Sequence, residues 1–192
     1  MLSLYPEITG VILAGGKSSR FGKNKAFAQW KGKSFFERIF RVLKSLFSEV
    51  LLITNTPEDY IDLPLPVYCD DIPEQGPMGG IYTALLRART DRVLVVACDL
   101  PLINGELIHT LLENYLEYEA VIPVWGDKPQ YLMGLYSKSL LPALKISLEN
   151  KTLAMRDFCH QNPKVRWVPI TGDTLMNVNT PEDFKKLEEL NA

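Results

Sequence analysis

The stretch ITGVILAGGKSSRFGKNK, residues 8–25, decides the fold. Its first seven residues, Ile8 to Ala14, are rich in β-branched side chains and almost wholly apolar, the pattern of a strand buried on both faces of a parallel sheet. Gly15 and Gly16 follow, and then four cations, Lys17, Arg20, Lys23 and Lys25. A strand running into glycines and cations makes a phosphate site, because glycine lets backbone N–H groups approach an anion closely. A Walker loop is excluded by spacing, since Gly16 lies six residues before Gly22 and Asn24 stands where a hydroxyl is needed. A dinucleotide fingerprint is excluded because Lys17 occupies a required glycine. The concentration of positive charge suits a triphosphate whose pyrophosphate must leave.

Outward from this loop, strands alternate with helices. Ser34-Phe-Phe-Glu37 is a capping-box signature, and Phe36, Ile39, Phe40, Leu43 and Phe47 recur at helical spacing, predicting a helix over 34–47. Val50 to Thr54, Val67 to Cys69 and Arg92 to Cys98 read as further strands, and Met78 to Ala88 as a helix reached through Gly76-Pro77. Such alternation predicts an α/β fold, a three-layer α/β/α Rossmann-like arrangement around a mostly parallel sheet with an antiparallel strand. After a helix capped by Asn104 and running to about Leu116, the pattern changes. Ala120 to Trp125 and Tyr131 to Tyr136 flank a polar turn, predicting a hairpin or antiparallel insertion covering the sheet. Short helices over 139–150 and 152–160, a strand over 165–170 and a helix opened by Thr180-Pro181 complete the chain. Without a linker or repeat, residues 1–192 read as a single domain. Its N-terminal half, about 8–103, would bind nucleotide, and its C-terminal half, about 104–192, would supply an acceptor site.

Composition narrows the function. The 192 residues are 46% apolar, enough for a full core, and the net charge of -2 gives no general attraction to nucleic acid or acidic membranes. No apolar run is long enough to span a bilayer, and the N-terminus lacks signal-peptide features, so a cytoplasmic location is expected. Charge is nevertheless segregated. Between Ile8 and Phe36 there are cations and no acid, whereas Ser45 to Leu86 holds acids and no Lys or Arg. Cys69 and Cys98 precede aspartates and are expected to point into packed faces. His109 and His160 have no catalytic neighbours in sequence and read as surface or packing residues.

Ligands of open parallel sheets bind at the carboxyl ends of the strands. Asp99 follows the most apolar strand and is the candidate metal ligand, for an ion such as Mg²⁺ that shares one carboxylate with phosphate oxygens and waters. Asn55 and Asp70 end the second and third strands and are candidates for base or ribose. Gly76 and Gly79, in GPMGG, open a helix whose N-terminus can face a phosphate or a ring edge. Asp71 and Glu74 read as solvated loop charges. Asn177 and Asn179, just before a capped helix, form a candidate acceptor site.

The segment LAGGKSSRFGKNK resembles the L-A-G-G-x-S-x-R-x-G-x-x-K signature of the nucleotidyltransferase superfamily, and Cys98-Asp-Leu-Pro-Leu-Ile103 lies at its second motif. With the GPMGG loop and Asn177-Val-Asn-Thr-Pro-Glu-Asp183, the chain resembles the molybdenum cofactor guanylyltransferase (MobA) family along essentially its whole length. That resemblance implies that Leu13, Ala14, Gly15 and Gly16 contact GTP, that Arg20 binds the pyrophosphate and Lys25 the reacting phosphorus, and that Asp99 holds Mg²⁺. It implies Mo-molybdopterin as acceptor at Asn177 and Asn179, and extends the expected partners to molybdopterin-handling proteins and apo-molybdoenzyme chaperones. The residues taken alone leave open a cytidylyltransferase, a sugar-phosphate nucleotidyltransferase or a non-catalytic nucleotide-binding module, while Gly15-Gly16 after Ala14 favours GTP at family level. The confinement of the basic residues to one loop and the lack of an accompanying series of stacking aromatics argue against nucleic acid.

Overall fold

The computed structural model describes residues 4–15, 25–72 and 74–190. In chain order the described elements are β1 (Ile8–Ala14), β2 (Gln29–Trp30), β3 (Lys33–Ser34), α1 (Phe35–Leu46), β4 (Glu49–Thr54), β5 (Val67–Tyr68), α2 (Gly76–Arg87) and β6 (Arg92–Ala97). They continue with α3 (Gly105–Leu111), β7 (Ala120–Trp125), β8 (Lys128–Pro129), β9 (Met133–Ser137), α4 (Leu141–Glu149), α5 (Met155–Gln161), β10 (Val165–Ile170) and α6 (Pro181–Glu189). The main sheet runs β10-β7-β9-β6-β1-β4-β5, with β8 paired to β7. β4, β1 and β6 are mutually parallel, as are β7 and β10, whereas β9 is antiparallel to both of its neighbours.

Strand alternation divides the core in two. Ile12, Leu94 and Val96 face the layer of α1 and α3, with Ile39, Leu43, Ile108 and Leu111. Val11, Val93 and Val95 face the opposite layer, with Ile81, Leu85, Leu144 and Met155 from α2, α4 and α5. Every residue of β1 is buried, as its apolar run requires. Gly10 permits close approach of α1, because a Cβ there would lie 2.9 Å from Phe47 Cδ2 and 3.3 Å from Leu43 Cβ.

The predicted capping box is present: Ser34 accepts from the Glu37 amide, and the Glu37 carboxylate accepts from the Ser34 amide. Those bonds hold the Glu37 carboxyl below its ordinary range. Thr180 and Asp183 make the equivalent box at α6.

Three expectations are corrected. The strands over 120–125 and 131–136 do not cover the sheet: β7 and β9 lie inside it, with β9 between β7 and β6. Their apolar residues are buried against both layers, which only an interior position allows. The helix predicted to about Leu116 ends at Leu111, and Asn114 turns the chain with φ 52°. Cys69 is exposed, because β5 stops at Tyr68 and strand alternation no longer governs the next residue. Cys98, in contrast, packs partly against the core, and burial pushes its thiol up to about 12, so it stays protonated.

His109 accepts or donates a hydrogen bond with Tyr5 Oη at 2.7 Å, and His160 stacks on Trp167. Both match surface or packing roles. Among the described residues, no helix is long and apolar enough to cross a membrane.

Candidate active site

The carboxyl ends of β1, β4, β5 and β6 share one edge, and the chain leaves each strand there with a residue able to meet a ligand. β1 gives Gly15, β4 gives Asn55, β5 gives Asp70 two residues beyond its end, and β6 gives Asp99. The edge is tied together by its own polar groups. The Thr54 hydroxyl donates to the Ala14 carbonyl at 2.7 Å in a buried contact, and the Cys98 amide donates to the Leu13 carbonyl at 3.0 Å.

Three predicted residues gather around Asp99, two directly and Asn179 through Lys25. Lys25, immediately after the phosphate loop, places Nζ 3.7 Å from Asp99 Oδ2 and donates to Asn179 Oδ1. Asn177 Nδ2 donates to Asp99 Oδ1 at 3.1 Å, and the intervening Val178 amide donates to the Asp99 carbonyl at 2.9 Å. Lysine and aspartate side chains are only 13% and 18% exposed, so their charges interact with reduced solvent screening. The pair thus presents a cation and an anion side by side at a partly open edge.

Sequence reasoning missed what anchors this arrangement. Val178 is fully buried with Trp30, Phe35 and Leu187 in a small cluster that binds the β2–β3 hairpin to α6. Arg38 lies over the Trp30 ring at 4.0 Å and donates to the Trp30 carbonyl. The hairpin follows Lys25 and α6 follows Asn179, so this cluster fixes both ends of the Lys25–Asn179 contact. The apolar Val178 between two asparagines was the available signal.

A second group surrounds the start of α2. Asp70 is hydrogen-bonded by the Asn55 side chain, and burial raises its carboxyl above the usual range despite that bond. Gly79 and Gly80 lie against it: Cβ atoms there would sit 4.0 Å from Asp70 Oδ2 and 3.5 Å from Asp70 Oδ1. A Cβ on Gly15 would lie 3.9 Å from Asn55 Nδ2, and one on Gly80 3.3 Å from Leu13 Cδ2. Leu13 therefore links the two groups, its side chain toward α2 and its carbonyl toward β6. Gly76 is exposed, with φ 59°, and serves the left-handed turn into α2. Asp71 pairs with Arg87, and its amide donates to the Thr83 hydroxyl, so it is a structural charge more than a free one. Gly16 and Arg20 lie outside the described residues.

A cavity of about 500 Å³ on the outer face of α1, lined by Phe36, Phe40, Leu63 and Pro64, contains none of these residues.

The fold and this edge have known counterparts. Residues 10–165 match the family described as MobA-like NTP transferase domain. The chain belongs to the MobA-like NTP transferase family. It is accordingly a nucleotidyltransferase. A Carboxydothermus hydrogenoformans protein named probable molybdenum cofactor guanylyltransferase is 39% identical over 189 residues, covering 94% of this chain and 95% of that protein. A crystal structure of an Aquifex aeolicus protein superposes with a TM-score of 0.77 at 33% identity, covering 90% of this chain and 93% of that one. Molybdopterin-guanine dinucleotide biosynthesis protein A from Archaeoglobus fulgidus has the same fold, with a TM-score of 0.79 at 21% identity, covering 95% and 97% of the two chains.

Proposed function

We propose that the chain transfers GMP from Mg²⁺-GTP to the terminal phosphate of Mo-molybdopterin, giving the guanine dinucleotide form of the cofactor and pyrophosphate. The observation that carries this reading is the Lys25–Asp99–Asn177–Asn179 cluster, on a chain of this family whose full-length relative bears the guanylyltransferase name.

An acceptor phosphate oxygen attacks the α-phosphorus of GTP, forming one P–O bond as the bond to pyrophosphate breaks. The attacking oxygen is already anionic, so no side chain has to remove a proton. Catalysis then rests on positioning and on charges set in advance. Lys25 faces the growing negative charge at phosphorus, and Arg20 is assigned to the departing pyrophosphate. Asn177 and Asn179, expected at the acceptor, serve it by holding Asp99 and Lys25 on the side from which it arrives. Asp70 and Asn55, with Leu13 and the glycines of α2, receive the nucleoside.

Asp99 fits Mg²⁺, because its donor set offers one half-buried carboxylate with the oxygen-bearing amide of Asn177 beside it. Among the described residues, no group of three or more His, Cys, Asp or Glu could cage a metal, so any ion here would keep water and phosphate ligands, as Mg²⁺ does. Bound there, it would neutralise phosphate charge. A cytosolic setting, where GTP and Mg²⁺ are abundant, suits the reaction.

Lys25→Ala and Asp99→Ala test the assignment. Each is expected to keep a native circular-dichroism spectrum while guanylyl transfer falls at least on the order of a hundredfold, the loss of about 3–4 kcal/mol of transition-state stabilisation. Wild-type turnover in either variant would remove that residue from the mechanism.

A further inference from the structure

Among the described residues, two buried acceptor atoms beside the start of α2 have no hydrogen-bond partner: Asp70 Oδ1 and Gln75 Oε1. Gln75 occupies the N-cap position of α2 yet its side chain makes no capping bond, so helix capping does not explain it. Both side chains flank the same bare glycine face. A Cβ on Gly79 would lie 3.1 Å from Gln75 Cβ and 4.0 Å from Asp70 Oδ2, and one on Gly80 would lie 3.5 Å from Asp70 Oδ1. Leu13 borders that face from β1.

The chemistry of the unpaired atoms selects a ligand edge. Asn55 already donates to the Asp70 carboxylate, which leaves Oδ1 as its free acceptor. A guanine presents two neighbouring donors on its Watson–Crick edge, the ring N1–H and the 2-amino group, and so needs two acceptors. Asp70 supplies one, and Gln75 is placed to supply the other. Adenine and cytosine each present an amino donor next to a ring acceptor, and uracil a single N–H between two carbonyls. None of these would satisfy both oxygens.

We propose that Gln75 accepts a hydrogen bond from the guanine 2-amino group while Asp70 Oδ1 accepts from N1–H, making Gln75 a specificity-determining residue for GTP. This rests on the guanylyl reading above and deepens it. Desolvated acceptors left unpaired by a wrong base are what make such a site discriminating. Gln75 has no place in the phosphate-loop motif, and only the fold brings it to Asp70.

Inosine triphosphate isolates the contact, because it keeps N1–H and lacks the 2-amino group. Calorimetric titration with Mg²⁺ and GTP, ITP or CTP is made on the wild type, Gln75→Leu and Gln75→Glu. The wild type is expected to bind GTP about tenfold more tightly than ITP, as one well-placed hydrogen bond gives. In Gln75→Leu, GTP affinity drops to the ITP level while ITP affinity moves less than about twofold, and Gln75→Glu, which retains an acceptor, keeps the preference for GTP. An unchanged GTP/ITP ratio in Gln75→Leu, an equal loss for both nucleotides, or no preference in the wild type overturns the role of Gln75. Tighter binding of CTP than of GTP by the wild type overturns the guanylyl reading itself, an outcome distinct from the others.

Discussion

Asn177→Ala tests whether Asn177 holds Asp99, the proposed metal ligand, or contacts the acceptor. The substitution removes the donor 3.1 Å from Asp99 Oδ1 and leaves the Val178 amide on the Asp99 carbonyl, so the segment stays anchored and only the carboxylate is released. A hydrogen bond to a charged group contributes about 1.5–3 kcal/mol. Asp99 is 18% exposed and retains Lys25 at 3.7 Å, so the lower part of that range applies. A loss of about 1.5 kcal/mol corresponds to roughly a tenfold fall in the competent orientation. Steady-state kinetics with varied Mo-molybdopterin at saturating GTP and Mg²⁺ is the assay. The expected result is kcat about tenfold lower, with the acceptor KM within about twofold of wild type. A raised acceptor KM with kcat intact would refute the positioning role and restore Asn177 as a direct acceptor contact.

Two other outcomes follow from the geometry. Burial raises the Asp70 carboxyl, and guanine needs its ionised form, so GTP affinity should weaken on acidification at a pH above the ordinary aspartate range. The sign for stability is opposite: the folded state binds this proton more tightly than the unfolded chain, so the contribution of Asp70 to stability grows as pH falls through its folded pKa. Titrating GTP binding against pH in wild type and Asp70→Asn checks this, and a pH-independent wild-type affinity down to the usual aspartate range would contradict it. Away from the site, Gly10→Ala forces a methyl toward Phe47 Cδ2 at 2.9 Å and should cost about 1–3 kcal/mol in urea unfolding. An unaltered midpoint would show that α1 can shift freely from β1.

Much of this architecture was written in local pattern. The all-buried run of β1, the reciprocal bonds of Ser34 with Glu37 and the Thr180–Asp183 box are short-range features, and each appears where the residues predict it. Asp99 was legible because a polar residue after a continuous apolar strand must stand at the sheet edge. Order within the sheet was not legible. Period-two alternation is the same for a strand inside a sheet and for a hairpin laid over it, so the place of β9 between β7 and β6 had no local signature. Cys69 escaped because β5 ends one residue early, so strand alternation does not set the direction of its side chain. At the site, the asparagines were visible as a motif, but their hold on Asp99 and Lys25 depends on Val178 being buried against the hairpin and α6. Gln75 belongs to no motif. Its unpaired oxygen becomes informative only beside Asp70 and the α2 glycines.

The central claim is guanylyl transfer at the Lys25–Asp99 edge, and a nucleotide panel tests it most directly. Pyrophosphate release is measured with GTP, CTP, ATP and UTP, each with Mg²⁺, in the presence and absence of Mo-molybdopterin. Release that requires both GTP and Mo-molybdopterin, with little from the other three nucleotides, is the expected result. Equal or faster acceptor-dependent release with CTP would contradict the guanylyl assignment, and no acceptor-dependent release with any nucleotide would contradict catalysis at this edge.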